Sequence, residues 1–415
     1  MINNFQKKVL VLALYAGEIM MKSGAEIYRV EDTITRICKA CKIEYVECFA
    51  TTTGIFLSLD MGGADGEMRT FIKRIDGITI DLERISMINK FSRVFTTTDL
   101  SVDDGMNQLR EIAGKPAFSL PLRLLGAVLV GAFMCPYYGG GIMEMCVAAG
   151  ASCVGYLIFV AVERFRLAGF IRVFISCLGG TLAVLAVSGL YPGGNTTAVI
   201  LSAVTIFMPG VAITNAARDL LSGDMISGVA RATDAAITSI AIAGGAGMVA
   251  GIWIVGGGAI SAESREFPLP LFFLFGFLLT LGFCLQFNAP KKQMALASVI
   301  GGVGMFALMG GPALGYGSLL TSFFGTCLVA ILAEIASRAG RDATTVFIIP
   351  GIIPFVPGLG LYESMSAILT NDITSGMAKG ASTLLAAGSI AIALIIVATG
   401  ARLTLALIKR IKRLG

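Results

Sequence analysis

Residues 209–228 read PGVAITNAARDLLSGDMISG, and residues 357–376 read PGLGLYESMSAILTNDITSG. The two stretches align without a gap at a constant separation of 148 residues, so that the Pro-Gly pair, one Asp and the Ser-Gly pair fall at matching places. Three residues further on, Arg231 in the first copy matches Lys379 in the second. The chain is therefore predicted to contain an internal repeat.

The composition indicates that most of the chain does not face water. Of its 415 residues, 55% are hydrophobic and 14% are charged, and the mean hydropathy is +0.82. Soluble proteins carry about 25% charged residues. A membrane helix needs about 20 mainly apolar residues, and such stretches alternate with short polar ones after Pro116. We predict ten spans, at residues 118–135, 142–162, 170–190, 196–214, 232–256, 267–287, 293–310, 315–336, 344–361 and 380–406.

Residues 1–115 hold much of the charge and are predicted to form a separate soluble α+β domain. Apolar residues at helical spacing predict a first helix over 9–21, broken at Gly17-Glu18, and a second over 25–41. Short β-branched and aromatic runs predict three strands, with a glycine-rich turn before the third and two helices after it. These strands cover 44–50, 55–59 and 68–75, the turn covers 62–66, and the last helices cover 82–94 and 102–113.

The repeat unit contains five predicted spans. Because five is odd, the two halves, 116–260 and 261–415, are expected to cross the membrane in opposite senses, as in transporters built from inverted repeats. The expected fold is thus an all-α membrane bundle of about ten helices in two inverted five-helix repeats behind the soluble domain.

Positive charge sets the predicted orientation. With the soluble domain inside, the outer connections contain only Arg265 and Lys379, whereas the inner ones are rich in Arg and Lys. No secretory signal peptide is recognisable in the first residues. We therefore expect the soluble domain and the C-terminus to be cytoplasmic. The inner basic residues are Arg164, Arg166, Arg172, Arg218, Arg231, Lys291, Lys292, Arg338, Arg341, Lys409, Arg410, Lys412 and Arg413.

The Pro-Gly pairs are predicted to break their spans, because proline lacks an N–H group and clashes with the preceding turn. Broken helices at membrane depth line a cavity or pack against protein, so each break is either a solute site or a plain kink. Three prolines in residues 350–358 predict two half-helices there. The candidate solute-binding residues are Pro209, Gly210, Thr214, Asn215, Asp219, Pro350, Gly351, Pro357, Gly358 and Glu363.

Proton coupling would require a carboxylate with a raised pKa, since the chain contains no histidine. The candidates are Asp219, Glu334 and Glu363, which lie in or near apolar stretches. Asp224 and Asp372 are interpreted either as helix N-caps or as solute contacts. Together with Gly228 and Gly376 they form the group predicted to act in gating or capping.

Catalytic chemistry has little support in the sequence. No G-x-S-x-G, Walker loop or metal-ligand cluster is recognisable in the soluble domain. Cys38 and Cys41 form a C-x-x-C, which we interpret as ordinary cysteines of a helix because no second pair or histidine accompanies it. We expect no cofactor, no metal and no nucleic-acid partner, and a regulatory, gating or docking role for the soluble domain.

These stretches together resemble the threonine/serine exporter family. Residues 23–32, SGAEIYRVED, are similar to its opening signature, and residues 209–228 to its central one. Residues 350–358 are similar to part of the family's second membrane module. The resemblance implies a secondary exporter of the bacterial inner membrane, driven by an ion gradient, whose solute is threonine or serine in some members and a small dicarboxylate in others.

Several functions stay open at this point. A proton-coupled exporter of threonine, serine or a similar small metabolite is the preferred interpretation, and a dicarboxylate exporter is the second. A passive channel also uses broken helices, and a membrane enzyme would need catalytic motifs in the soluble domain. The expected partners are a small-molecule solute and membrane lipid, and a homo-oligomer is compatible with the sequence.

Overall fold

The computed structural model describes residues 4–43, 45–60, 68–188, 194–261 and 263–414. Apolar helices form most of this part of the chain, and a small domain with one antiparallel sheet precedes them. The turn predicted at 62–66 and the end of the span predicted at 170–190 lie outside the described residues.

The N-terminal domain has the predicted order of helices and strands. Its three strands pair antiparallel in the order β1-β2-β3. Ile55, Leu57 and Leu59 alternate along β2 and are fully buried against the helices, as expected for a sheet with one covered face. The elements are α1 (Asn4–Lys22), α2 (Ile27–Ala40), β1 (Val46–Thr51), β2 (Gly54–Asp60), β3 (Met68–Arg74), α3 (Leu82–Thr97) and α4 (Val102–Gly114).

The predicted break at Gly17-Glu18 is wrong, because α1 is continuous through both residues. A side chain at Gly17 would collide with Ile34 of α2, so glycine allows the two helices to approach closely. Glu18 is paired with Lys22 and with Lys73 of β3, at 2.8 and 2.9 Å. Both residues that predicted a break are therefore explained by packing.

The rest of the chain is a membrane bundle. Within the described residues, eight helices are long and apolar enough to cross a bilayer, and two bent helix pairs raise the number to ten if each pair is one span. The first half contains α5 (Leu120–Met134), α6 (Ile142–Glu163), α7 (Gly169–Ala186), α8 (Thr196–Val204), α9 (Gly210–Ser222) and α10 (Met225–Val255). The second half contains α11 (Leu269–Gln286), α12 (Lys291–Gly310), α13 (Ser318–Gly340), α14 (Thr345–Gly351), α15 (Gly358–Leu369) and α16 (Ile373–Leu414).

Two helices extend well beyond their predicted spans. The span predicted at 232–256 belongs to a helix that begins at Met225, and the one predicted at 380–406 belongs to a helix that begins at Ile373. Apolarity predicts the part of a helix in lipid, whereas the helix itself continues through Arg231 and Lys379, whose charges are paired with carboxylates.

The two halves repeat one packing pattern. In the first half α6 packs against α5, α7 and α8, while α10 packs against α7 and α9. In the second half α12 packs against α11, α13 and α14, while α16 packs against α13 and α15. Contacts between the halves join α5 to α11, α9 to α16 and α10 to α15. The repeat in the sequence is therefore accompanied by a repeat in structure.

The matching helices α5 and α11 run antiparallel. The Gln286 side chain donates a hydrogen bond to the carbonyl oxygen of Arg123 at 2.5 Å. Further along α5, a side chain at Gly126 would meet the carbonyl oxygen of Gly282. At the other end, the rings of Phe133 and Phe275 stack with centroids 6.2 Å apart. Residue numbers thus rise along α5 as they fall along α11.

We predict that Gly245→Ala destabilises the bundle by about 1–3 kcal/mol, the usual range for overpacking. A Cβ at this position would collide with the carbonyl oxygen of Phe174 in α7, which is backbone and cannot easily move. The measurement is the thermal unfolding midpoint of the detergent-solubilised protein. Gly247→Ala in the same helix is the control, because its Cβ would meet nothing within 4 Å, and alanine there should be neutral or stabilising. Equal midpoints for the two variants would contradict the described packing.

The soluble domain docks onto connections between membrane helices. The first two N–H groups of α3, from Leu82 and Glu83, donate to the carbonyl oxygens of Phe287 and Asn288 at 2.9 and 3.0 Å. The Asn288 amide donates to Asp81 at 3.0 Å, and Asp81 also caps α3. The free N–H groups of a helix start are here satisfied by the α11–α12 connection.

Asp342, in the α13–α14 connection, makes a second contact with the soluble domain. Its carboxylate accepts a hydrogen bond from Ser86 and pairs with Lys90 at 2.9 Å, both from α3. The carboxylate is almost fully buried. A buried charge is tolerated only with such partners, so this contact depends on the docked position of the soluble domain.

A third contact is centred on Glu26, the residue before α2. Its carboxylate pairs with Arg218 of α9 at 2.6 Å and with Arg29 at 3.3 Å. Arg29 donates to the hydroxyl of Thr345, at the start of α14, and that hydroxyl lies 3.5 Å from Glu26. Burial alone would raise the pKa of Glu26, but the two arginines outweigh it, so the pKa lies below its ordinary value. One buried carboxylate thus links the soluble domain to a helix of each half.

We predict that Glu26→Gln destabilises the protein by about 3–5 kcal/mol, because it leaves the largely buried Arg218 side chain without its counter-charge. Asp32→Asn is the control: Asp32 pairs with Arg36 in the same helix, but on the surface, and its loss should cost less than about 1 kcal/mol. Thermal unfolding at neutral pH measures both. Because the pKa of Glu26 is lower in the folded protein, its carboxylate contributes to the free energy of unfolding at neutral pH. This contribution is lost only as the pH falls below the ordinary pKa of 4.5. Similar losses in both variants would contradict this account.

Candidate functional site

The two Pro-Gly breaks have the same backbone conformation. Pro209 has φ −80° and ψ 42°, and Pro357 has φ −81° and ψ 43°. A turn of 3-10 helix precedes each break, and the glycine N–H donates to the carbonyl oxygen two residues before it at 2.8 Å in both. The helices on either side are bent by 57° in the first half and 41° in the second. The predicted half-helices around residues 350–358 are therefore present, and the first copy of the motif is built in the same way.

The two breaks lie against each other. A Cβ at Gly210 would collide with Val356, and a Cβ at Gly358 would lie 3.1 Å from Met208. Met208 and Val356 are themselves matching residues of the two copies, so the contacts are reciprocal. Only glycine lets the backbones come so close. As a result, α9 and α15 begin side by side in the middle of the bundle.

A cavity of about 610 Å³ surrounds this meeting point. Its walls include Pro209, Gly210 and Gly358, together with the first residues of α9 and α15. It extends to residues 78–84 of the soluble domain and to the α11–α12 connection. The first N–H groups of a helix lack acceptors within it and carry a partial positive charge. The cavity can therefore hold a small solute with an anionic group.

Most polar residues that line this cavity are not among the solute-binding residues predicted from the sequence. They include Tyr138 and Thr205 near the breaks, whose oxygens are 3.5 Å apart, and Arg123, which donates to the hydroxyl of Tyr156 at 2.8 Å. Asp234 of α10 also lines it. Arg123 and Asp234 fall inside predicted spans, and a charge within a span is the signal that could have identified them.

Each half also has an ion pair across the helix hairpin that follows its break. Asp219 of α9 pairs with Arg231 of α10 at 3.1 Å, and Glu363 of α15 pairs with Lys379 of α16 at 3.0 Å. The two basic residues match in the repeat, whereas Glu363 matches Asn215 rather than Asp219. Both hairpins thus contain an ion pair to the matching basic residue, although Asp219 and Glu363 stand at different positions of the repeat.

The two ion pairs differ in their surroundings. Asp219 is buried and Arg231 is only partly exposed, and Arg231 also donates to the carbonyl oxygen of Ala25 in the soluble domain at 3.3 Å. Glu363 and Lys379 are 38% and 48% exposed and line a second cavity of about 350 Å³, together with residues of α8 and α10. One pair is covered by the soluble domain, and the other is accessible.

Other predicted residues lie around the breaks in varied settings. Thr214 is buried, and no partner of its hydroxyl is found within the described part of the chain; Asn215 beside it is half-buried. Pro350 and Gly351 end α14, where Gly351 packs against α12 and α13. Glu334 pairs with Arg338 along α13 at 3.1 Å and does not line either cavity as far as the described residues show.

The residues predicted for gating or capping lie where the hairpins turn. Asp372 accepts a hydrogen bond from the N–H of Ser375 at 3.1 Å, which is the geometry of an N-cap, and Asp224 occupies the matching position before α10. A Cβ at Gly228 would collide with Leu220, and one at Gly376 with Ile368. These glycines allow each hairpin to pack tightly after its turn.

The C-x-x-C of the soluble domain lies at the end of α2. Burial raises the pKa of Cys38 to about 12 and also raises that of Cys41. A thiol must be deprotonated to act as a nucleophile or a metal ligand. The arrangement is therefore typical of structural cysteines.

Comparison with known proteins agrees with the resemblance noted in the sequence. A family model described as a threonine/serine exporter matches residues 11–253, and a second one with that description matches residues 272–399. No solved structure matches.

Three relatives align over most of the chain. A protein of Mycobacterium tuberculosis named "Probable threonine/serine exporter" is 24% identical, over 92% of this chain and 75% of its own. The "Threonine/serine exporter" of Corynebacterium glutamicum is 23% identical, over 92% of this chain and 80% of its own. "Pheromone-regulated membrane protein 10" of Debaryomyces hansenii is 23% identical, over 81% of this chain and 34% of its own. Since the first family model alone covers more than half of the residues, the chain belongs to the threonine/serine exporter family.

Proposed function

We propose that this multi-pass membrane protein is a secondary active exporter of threonine, serine or a similar small hydrophilic metabolite, coupled to a proton gradient. The observation that carries the proposal is the meeting of two equivalent helix breaks at one cavity of about 610 Å³. Two relatives, each aligned with this chain over three quarters or more of its own length, are named as threonine/serine exporters. The family consists of transporters rather than enzymes.

The solute would bind where α9 and α15 begin. Half-helix N-termini hold anionic groups of solutes in transporters with broken helices, and here two of them face the same cavity. The amino-acid carboxylate would lie at these N-termini, near Pro209-Gly210 and Pro357-Gly358, with the hydroxyls of Tyr138 and Thr205 close by. Thr214 and Asn215, one turn along α9, stay candidates that would reach the solute only after a rearrangement, since they are not among the residues that line the cavity.

An inverted arrangement of the halves is part of the proposal. The antiparallel course of the matching helices α5 and α11 supports it, as do the reciprocal contacts of Gly210 with Val356 and Gly358 with Met208. Inverted repeats expose a central site to each side in turn by rocking of one half against the other.

The two hairpin ion pairs are suited to coupling and gating. Asp219 and Glu363 are carboxylates next to matching basic residues, and each would take up a proton when its pair opens during transport. Glu334 is the third coupling candidate, because it lies within a membrane helix. The capping residues Asp224 and Asp372 would then set the turns about which the hairpins move.

We place the protein in the bacterial inner membrane with the soluble domain and the C-terminus in the cytoplasm. The basic connections support this orientation. The soluble domain contacts the α11–α12 connection, the α13–α14 connection and the end of α9. All three lie on the side that the positive charges assign to the cytoplasm.

We expect cells or vesicles loaded with labelled threonine or serine to export it faster through this protein when a proton gradient is imposed. Labelled succinate tests the dicarboxylate alternative under identical conditions, and membranes without the protein are the control. Efflux that does not respond to the gradient would indicate a passive channel and would contradict coupled export.

The same assay separates the coupling candidates. Glu363→Gln or Asp219→Asn should reduce gradient-driven efflux to the rate seen without a gradient if the carboxylate carries the proton. Glu363 is half-exposed, so its variant should fold normally, whereas Asp219→Asn also requires a check of thermal stability because it leaves Arg231 unpaired. Full gradient dependence in both variants would remove these two residues from the coupling mechanism.

The topology can be tested in a protein whose nine native cysteines are replaced. We expect a membrane-impermeant maleimide, added outside intact cells, to label the single-cysteine variants Glu263→Cys and Leu314→Cys. Both side chains are exposed and lie in connections assigned to the outside. Thr98→Cys in the soluble domain, also exposed, should react only after the membrane is opened. Labelling of Thr98→Cys in intact cells would reverse the proposed orientation.

A further inference from the structure

We infer that Asp234 binds the ammonium group of the solute and so makes the cavity specific for amino acids over acids that lack this group. This inference rests on the proposed function, since it deals with the same cavity. It concerns a residue in the interior of α10, ten residues from the start of the helix, where a capping role is ruled out by position.

Asp234 differs from the other charged residues of the cavity. Asp81 pairs with Arg84, Glu163 pairs with Arg172, and Arg123 donates to Tyr156. Asp234, by contrast, has no ion pair or hydrogen bond anywhere in the described ranges, and it is an exposed residue that lines the cavity. Within the described residues, the carboxylate of Asp234 thus has no positively charged group paired with it.

The helix hairpin places Asp234 close to the break. In the α9–α10 hairpin, Leu220 contacts Gly228, and Ile213 and Ala235 belong to one buried cluster. By residue number, this register brings Asp234 to the level of Thr214, which follows Gly210 by four residues, or about 6 Å of helix rise. Ala212 and Asp234 line the same cavity. The carboxylate therefore shares one cavity with the N-termini proposed to hold the solute carboxylate.

The charge is costly unless it has a use. Charged side chains within membrane helices mostly face the bundle interior or a water-filled cavity, and they often mark the path of a substrate or ion. The repeat does not need it: the matching residue in the second half is Ser382, whose hydroxyl donates to the carbonyl oxygen of Lys379. An ammonium group offers three donors to such a carboxylate and forms charge-assisted hydrogen bonds that are stronger than neutral ones.

The test measures equilibrium binding of threonine and of 2,3-dihydroxybutanoate to the purified full-length protein. The second compound carries a hydroxyl in place of the ammonium group and is otherwise matched. We expect threonine to bind more tightly by roughly 10- to 100-fold, the range for a hydrogen-bonded charge. Asp234→Asn should weaken threonine binding by a similar factor and leave the analogue nearly unaffected, while Asp234→Glu should keep the preference for threonine.

Two controls make the outcome decisive. Glu111→Gln removes one negative charge from an exposed position of the soluble domain and should not change either affinity. The thermal unfolding midpoint of Asp234→Asn should match or exceed that of the wild type, because the native carboxylate has no described partner to lose. Unchanged threonine affinity in Asp234→Asn, or a wild type that prefers the hydroxy acid, overturns the inference even if threonine export itself is observed.

The role of Asp234 can also be tested if threonine and serine are not the solutes. The same comparison is then made with alanine and lactate and with aspartate and malate. A preference for the amino member that Asp234→Asn abolishes supports the ammonium site, although the proposed solute is wrong. Binding of hydroxy acids or dicarboxylates without any amino acid overturns both statements.

Discussion

The membrane bundle depends on the constraint that proline imposes at two matching places. A proline inside an apolar span cannot donate to the helix and clashes with the turn before it, so the chain must bend and leave backbone groups without helical partners. In lipid those groups would be costly. Here both bends pack against each other, with Val356 over Gly210 and Met208 over Gly358. Each break thus packs against the other, and the cavity lies where they meet.

Charge is distributed around this centre in two ways. Several charged groups are held by partners: Glu26 by Arg218, Asp219 by Arg231, and Asp342 by Lys90. Such pairs join helices to one another or to the soluble domain. Removing one member of a buried pair costs far more than removing an exposed one. Among the described residues that line the cavity, Asp234 is a carboxylate without an ion pair or hydrogen bond, and it can therefore bind a cationic group.

The sequence was sufficient for the features that are local or periodic. Apolar stretches predict the spans, and short β-branched and aromatic runs predict the three strands. Pro-Gly pairs at a constant separation of 148 residues predict the repeated helix breaks. Sequence patterns do not predict features that depend on tertiary contacts. Gly17 interrupts the apolar pattern of α1 but not the helix, because Ile34 occupies the space that a side chain at Gly17 would need. The same holds for Glu26 and Thr345, which lie 319 residues apart and share a hydrogen bond that periodicity does not reveal. Whether a charge such as Asp234 is paired likewise depends on neighbours from other helices.

The contacts of Glu26 have a thermodynamic consequence. The residue belongs to the soluble domain, yet it contacts Arg218 in the first half of the bundle and Thr345 in the second. A rocking motion of one half against the other would therefore have to break or stretch these bonds. Contacts that exist in only one orientation bias the equilibrium towards it by their whole free energy. By reciprocity, whatever loosens or tightens the soluble domain would change the affinity of the distant cavity for its solute, without touching the cavity itself.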